Sequence, residues 1–158
     1  MISFVVEGQA VPQARPRFSR FANAVHTYEA QKCTDYKKIV AFRAKAAMMG
    51  REPIAEPLLV MIDCRTEPPK SWPKYKREAA IRNGWDTAKH GDADNIAKGI
   101  MDACTGIVWE DDCQVAGLIV TKRYAEESET VVEILEPDNN RSPIWAVSSI
   151  RRNIHSLE

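Results

Sequence analysis

Aspartate residues are concentrated in two short stretches in the second half of the chain. Asp92 and Asp94 lie in the first stretch, and Asp111 and Asp112 lie in the second. Carboxylates that converge on one point repel each other unless a cation lies between them, and Mg²⁺ is bound by a few carboxylates together with water. If the fold brings the two stretches together, Asp92, Asp94 and Asp112 are candidate ligands of a divalent metal ion.

The segment that begins near Asp94 has the spacing of an amphipathic helix, and Gly106 suits its end. Its apolar residues share one face, namely Ile96, Ile100 and Cys104. Asp94, Lys98 and Asp102 recur at every fourth position and therefore share the roughly opposite face. A lysine in that place can offset the charge of a phosphate or a developing oxyanion, and Lys122, at the end of a predicted strand, is a second candidate for this role.

These residues also have ordinary structural explanations. Asp92 or Asp94 can cap the helix, which is worth about 1 kcal/mol. Asp94 and Lys98 can form an exposed ion pair worth about 0.3–0.5 kcal/mol. Four further residues are either supports of the carboxylates or plain surface and turn residues: Asn95, Asp102, Asp111 and Lys122.

Basic residues are interleaved with aromatic residues in two other segments. The first follows the first predicted strand and contains Arg15, Arg17 and Arg20. The second is a proline-rich flap over residues 67–91, whose candidate cations are Lys70, Lys74, Lys76, Arg77 and Lys89. Cations bind phosphates and exposed aromatic rings stack on bases, so both segments are candidate DNA-binding elements. The alternative is that each basic residue lies on a solvated helix face and that the tryptophans are buried.

The net charge of the chain is zero, but the charges are unevenly distributed. Residues 1–91 contain 16 basic and 9 acidic residues, whereas residues 92–158 contain 6 and 13, so the two parts carry +7 and −7. Such an asymmetry indicates contact with a polyanion on one side and cation binding on the other. The overall charge alone would have argued against a nucleic-acid partner.

The apolar pattern predicts strands over residues 2–7, 58–65, 115–124 and 130–135. It predicts helices over residues 28–49, 74–82, 94–105 and 142–154. The prolines in residues 8–25 exclude regular structure there, and the last two strands are expected to pair as an antiparallel hairpin. This order predicts a single α/β (α+β) domain in which a mixed four-stranded sheet is flanked by helices.

Length and composition restrict the class of protein. A chain of 158 residues can bury a core without disulfides. The spacing of its four cysteines fits neither a zinc knuckle nor a redox pair, so we expect buried, reduced thiols. The N-terminus lacks the features of a signal peptide, and no apolar run approaches the roughly 20 residues of a membrane span. We therefore expect a cytoplasmic protein with no membrane partner.

The acidic region resembles the signature of the RusA-type Holliday junction resolvases, which are crossover junction endodeoxyribonucleases of prophages and bacteria. The matching pattern is Asp92-Ala93-Asp94-Asn95-x-x-Lys98-x-x-x-Asp102, then Trp109-x-Asp111-Asp112-x-Gln114-Val115, and Lys122. Weaker similarity includes the Arg15-Pro16-Arg17 loop and the Pro69-Lys70-Ser71-Trp72 flap. Gly91 stands where many members carry a proline, and residues 137–158 have no recognised counterpart.

The resemblance implies a homodimer in which each subunit uses Asp92, Asp94 and Asp112 to hold Mg²⁺, with Mn²⁺ as a possible substitute. It also implies that Lys98 is catalytically important and that four-way DNA junctions are nicked symmetrically during recombination and repair, with the enzyme associated with the nucleoid during action. We expect residues 1–136 to form the endonuclease domain and residues 137–158 a helical extension. The alternatives are a noncatalytic protein that binds branched DNA and a nucleotide-sugar transferase, for which the chain is short and lacks a glycine-rich phosphate loop.

Overall fold

The computed structural model describes residues 1–13, 31–84 and 91–136, together with the backbone of residues 17–21 and 24–28. The elements follow the chain in this order: β1 (Ile2–Glu7), β2 (Arg17–Phe21), β3 (Ala24–Tyr28), α1 (Gln31–Met48), β4 (Leu58–Thr66), α2 (Lys74–Asn83), α3 (Ala93–Cys104), a 3₁₀ turn (Asp112–Gln114), β5 (Val115–Tyr124) and β6 (Glu129–Leu135). The described part contains one mixed four-stranded sheet with three helices, as the fold class predicted, and a separate two-stranded hairpin, which was not predicted.

The main sheet has the strand order β1-β6-β4-β5. β6 is antiparallel to both of its neighbours, whereas β4 and β5 are parallel. The predicted hairpin between the last two strands is therefore wrong, because β4 lies between them. The connection from β5 to β6 passes over the end of β4, where the backbone N–H of Ala125 donates to the carbonyl oxygen of Thr66 at 3.0 Å. Strand periodicity identifies each strand, but it does not identify the neighbour with which the strand pairs.

The hydrophobic core lies between the sheet and the pair α1 and α3. Alternate residues of the strands face these helices and are buried, including Phe4, Val6, Val60, Ile62, Val132 and Ile134. From α3 the core receives the predicted stripe of Ile96, Ile100 and Cys104, each at most 1% exposed. This burial fixes the rotation of α3 about its axis, so its polar face must point away from the core.

Residues 8–25 contain regular structure, contrary to the prediction. β2 and β3 pair as an antiparallel hairpin from Arg17 opposite Tyr28 to Phe21 opposite Ala24. Pro12 and Pro16 both precede β2, so neither removes a donor from the ladder. The prolines therefore mark the approach to a hairpin and do not exclude one.

The cysteine prediction is correct for Cys33, Cys64 and Cys104, which are free and buried, and wrong for Cys113, which is free and exposed. Cys113 lies in the 3₁₀ turn, whose three residues bury no side chain. The predicted helix over residues 142–154 and the proposed extension 137–158 lie outside the described residues. No helix in the described part is long and apolar enough to cross a membrane.

Candidate active site

The loop that enters α3 is fixed by Gly91. This residue has a φ of +91°, and a Cβ atom there would lie 2.5 Å from Cγ of Pro12. Both facts require glycine, because an L-residue with a side chain rarely adopts this φ and its Cβ atom would also collide with the proline ring. A proline cannot adopt this φ either, since its ring holds φ near −65°. The chain thus places Asp92 and Asp94 through a glycine turn that packs against Pro12.

Lys122 holds the same loop from the sheet. Its Nζ donates to the carbonyl oxygen of Gly91 at 2.7 Å. Lys122 pairs with Cys64 in the parallel β4–β5 ladder, on the side of the sheet that faces the helices. The residue predicted as a second phosphate-binding lysine therefore contacts the backbone beside the acidic motif.

Asp102 joins three segments of the chain. Its Oδ2 accepts hydrogen bonds from Nζ of Lys37 at 3.0 Å and from Nε2 of Gln13 at 3.1 Å. Gln13 also donates its backbone N–H to the carbonyl oxygen of Asn95 at 3.0 Å. Asp102 therefore supports the site by fixing α1 and the segment before β2 against α3.

Asp112 is oriented by two side chains from the loop that follows α3. Its Oδ1 accepts hydrogen bonds from Nε1 of Trp109 at 3.0 Å and from the hydroxyl of Thr105. Trp109 is fully buried, so the indole is a rigid donor. Both bonds reach Oδ1, and Oδ2 has no hydrogen-bond partner among the described residues. Asp112 thus keeps one carboxylate oxygen available for another ligand.

Asp111 supports the turn that carries Asp112. Its carboxylate accepts from the backbone N–H of Cys113, and its own backbone N–H donates to Oε1 of Gln114, both at 2.8 Å. Nε2 of Gln114 in turn donates to the carbonyl oxygen of Ile54. The hydrogen bonds from Cys113 hold the pKa of Asp111 below its ordinary value. Asp111 is therefore a capping residue that keeps its charge.

One open cavity of about 420 Å³ brings residues of the two acidic stretches together. Its polar lining comes from both stretches and from the exposed face of α3: Asp94, Lys98, Asp102 and Asp112. Its apolar lining comes from α3 and β5: Ala97, Met101, Leu118 and Val120. Asp94, Asp112 and Lys98 thus line the same space.

The structural explanations of the acidic motif are not realised in the described residues. Asp92 occupies the N-cap position of α3 but makes no capping hydrogen bond with its side chain. Asp94 and Lys98 form no ion pair. Asp92 instead accepts a long hydrogen bond of 3.4 Å from Nδ2 of Asn95, as expected if Asn95 orients a neighbouring carboxylate.

The carboxylates do not form a closed metal cage. Among the described residues, no group of three or more His, Cys, Asp and Glu side chains lies close enough to hold a metal ion. Asp94 and Asp112 share the cavity, whereas Asp92 is not part of its lining. Mg²⁺ is usually bound through one or two carboxylates plus substrate phosphates and water. The donor set therefore fits a Mg²⁺ ion shared with a phosphate better than it fits a resident structural ion.

The buried thiols near the site are not nucleophiles. Burial and, to a smaller extent, the negative charge of Asp112 together raise the pKa of Cys104 to about 12. A nucleophilic cysteine requires a thiolate, which such a pKa prevents at neutral pH. The chemistry of the site therefore belongs to its carboxylates and lysine.

The predicted DNA-binding residues are only partly placed. Lys74, Lys76 and Arg77 lie on α2, and Lys70 precedes it in the flap. The backbone of Arg17 and Arg20 lies on β2, while Arg15 and Lys89 lie outside the described residues. The segment that leads to β2 is bound to α3 through Gln13.

Several residues of the site were not predicted from sequence. They orient the carboxylates and do not present charge to the cavity: Gln13, Lys37, Thr105 and Trp109. Trp109 belongs to the matching motif, and its position three residues before Asp112 was a usable signal. The others are separated from their partners by long stretches of chain or by an ordinary turn, so spacing gave no indication of their role.

Residues 7–135 match the family model described as Endodeoxyribonuclease RusA, and the chain belongs to this family. A relative in Bacillus subtilis (strain 168), the uncharacterized protein YqaN, is 34% identical over 137 residues. That alignment covers 85% of this chain and 96% of YqaN. The family match includes both acidic stretches, the flap and the β2–β3 hairpin.

Proposed function

We propose that this protein is a Mg²⁺-dependent endodeoxyribonuclease that resolves four-way (Holliday) DNA junctions by paired symmetrical nicking, in DNA recombination and repair. The observation that carries the proposal is the cavity in which Asp94, Asp112 and Lys98 meet. Membership of an endodeoxyribonuclease family supports the reaction class. The basic flap supports a polyanionic substrate.

The roles of the residues follow from their positions. Asp94 and Asp112 hold Mg²⁺, and Asp92 joins them from the start of α3. When bound, the ion would polarise a phosphodiester oxygen and activate a water molecule. Lys98 forms no ion pair with any described residue, so its ammonium group is available to the scissile phosphate. Lys122 and Asn95 position the loop that carries the carboxylates.

The two-fold character of a four-way junction suggests a two-fold enzyme. We propose a homodimer whose two identical sites cut opposed strands. We also propose that the protein acts in the cytoplasm on the nucleoid and that Mn²⁺ can replace Mg²⁺.

The proposal is tested by incubating the full chain with a labelled synthetic four-way junction in Mg²⁺ and in EDTA. Asp94→Asn is compared with Glu110→Gln, a matched loss of one exposed acidic charge from outside the cavity. We expect paired, ligatable nicks only with metal, from the wild-type protein and from Glu110→Gln. Asp94→Asn should bind the junction without cutting it.

Three results would contradict the proposal in different ways. Equal cutting by Asp94→Asn would refute the assignment of the metal site. Junction binding without cutting by the wild-type protein would favour a noncatalytic junction-binding protein. Failure to bind the junction, together with hydrolysis of a nucleotide sugar, would favour the transferase.

A further inference from the structure

Helix α2 carries an aromatic residue that the fold does not use. None of its side chains is buried, and the ring of Tyr75 is 74% exposed. A tyrosine usually buries most of its large surface, either in a core or against a partner. An exposed ring at the first turn of an exposed helix is therefore available for an external contact.

The charge of α2 identifies the kind of partner. The helix has four basic residues and one acidic residue: Lys74, Lys76, Arg77, Arg82 and Glu78. Lys74 and Glu78 approach to 3.8 Å, but their side chains are 90% and 56% exposed, so this pair contributes little and competes weakly with a phosphate. Cations next to an exposed ring match single-stranded or unstacked nucleic acid, where phosphates and base faces are both accessible.

The flap is anchored to the strand that also positions the acidic loop. Trp72 packs against Tyr124 at the end of β5, with the ring centroids 5.8 Å apart, and Nζ of Lys76 lies 4.0 Å from the centroid of Trp72. The backbone N–H of Tyr124 donates to the carbonyl oxygen of Gly84 at 2.7 Å, directly after α2. Lys122, in the same strand end, holds Gly91. Both ends of the flap are thus fixed beside the acidic loop that precedes α3.

We propose that Tyr75 stacks on an unpaired base at the branch point of the DNA, with the neighbouring cations of α2 on the adjacent phosphates. The inference rests on the proposed function, because it assigns a role in recognising the substrate of that reaction. Trp72 and Tyr124 are engaged with each other, which leaves Tyr75 as the accessible ring in the described part of the flap. Stacking on one base would distinguish a junction from a continuous duplex, where the bases are covered.

The test uses the full chain carrying Asp94→Asn, so that the junction stays intact, with and without Tyr75→Ala. Affinity is measured for a four-way junction and for a linear duplex of equal length. Tyr75→Ala should weaken junction binding about tenfold and duplex binding less than about twofold, while Tyr75→Phe stays close to the parent. Phe42→Ala is the control, since Phe42 is an equally exposed aromatic residue, 71% accessible, on α1.

A photocrosslink provides a readout that a merely structural role would not produce. Junctions with 5-iododeoxyuridine at the crossover should crosslink to Tyr75, and this adduct should disappear in Tyr75→Ala. Unchanged junction affinity and no adduct would overturn the role of Tyr75 and leave the proposed function intact. Equal weakening of junction and duplex binding would also overturn it, whereas no junction binding by the parent would overturn both proposals.

Discussion

Nζ of Lys122 donates to the carbonyl oxygen of Gly91 at 2.7 Å, and this bond connects the end of strand β5 to the residue before Asp92. The ammonium group therefore acts on the backbone of the acidic loop from the helix-facing side of the sheet. Gly91 is also confined by Pro12. The start of α3 is thus held by a lysine on one side and a proline ring on the other.

Lys122→Met should remove this restraint while the apolar stem still packs. We expect cleavage of the junction to fall about tenfold and the Mg²⁺ concentration for half-maximal cleavage to rise, because the loop would hold Asp92 and Asp94 less firmly. Single-turnover cleavage across a Mg²⁺ series measures both effects. Lys45→Met removes one exposed lysine from α1 and should leave both unchanged. An unaltered Mg²⁺ dependence in Lys122→Met would contradict the positioning role.

Gly91→Ala should destabilise the protein more than a glycine replacement in open space. Strain at positive φ costs of order 1–3 kcal/mol, and the collision with Pro12 adds to it. Gly50, with a φ of +81° and no neighbouring atom within 4 Å, gives the matched comparison because Gly50→Ala carries the backbone strain alone. Urea unfolding measures the two losses. Equal losses in the two variants would show that the contact with Pro12 relaxes easily and adds nothing to the backbone strain.

Trp109→Phe should separate stability from the orientation of Asp112. The indole is fully buried and donates to Oδ1, so the variant loses a buried hydrogen bond to a charged group and some packing volume. We expect the free energy of unfolding to fall by about 2–4 kcal/mol. Cleavage should fall at a temperature where the variant is still folded, with junction binding retained. Full cleavage by the folded variant would mean that Thr105 alone orients Asp112.

Asp102→Asn should behave unlike Asp94→Asn, although both residues line the cavity. Asp102 is engaged by Lys37 and Gln13, and the Lys37 and Asp102 side chains are 21% and 35% exposed. A partly exposed pair of this kind is worth about 1 kcal/mol or less. Thermal unfolding should therefore shift slightly, and cleavage should stay within a few-fold of the wild-type rate. Loss of cutting in Asp102→Asn with normal stability would place Asp102 among the metal ligands.

The elements of the fold were largely readable from local pattern, because each strand and helix shows its own periodicity. The apolar stripe through Ile100 predicted how α3 lies on the sheet, and that in turn predicted the outward face of Asp94 and Lys98. The pairing of the strands was harder to predict from the sequence. β6 lies centrally and β5 at the edge of the sheet because of contacts made across the whole chain, which no local pattern in Val115–Tyr124 or Glu129–Leu135 specifies.

The grouping of residues in the candidate site was predictable where it depends on residue type and spacing, and less so where it depends on the orientation of side chains. Asp94, Lys98 and Asp112 were identified from the sequence because clustered charges of this kind require a cation or a charged ligand. The donor to Asp112 is an indole inside the core, and the partner of Lys122 is a backbone carbonyl. Groups of this kind carry no charge signature in the sequence, so their role becomes clear only in the folded structure.

Stability should decline in alkaline solution because of the buried thiols. Burial raises the pKa of Cys64 and of Cys104 from 9.0 to about 12. The folded state therefore keeps protons that the unfolded state releases above pH 9, so this contribution is complete below pH 9 and is lost as the pH rises through 12. Each thiol can contribute up to about 1.4 kcal/mol per pH unit within that window.

Urea unfolding of the wild-type protein and of Cys104→Ala at a series of pH values from neutral to alkaline measures this effect. The alanine leaves a cavity whose cost is the same at every pH, so the difference in slope, and not in absolute stability, reports the thiol. We expect Cys104→Ala to lose stability less steeply than the wild-type protein in the alkaline range and in parallel with it near neutrality. Parallel curves over the whole range would mean that the Cys104 thiol titrates at the same pH in the folded and unfolded chains.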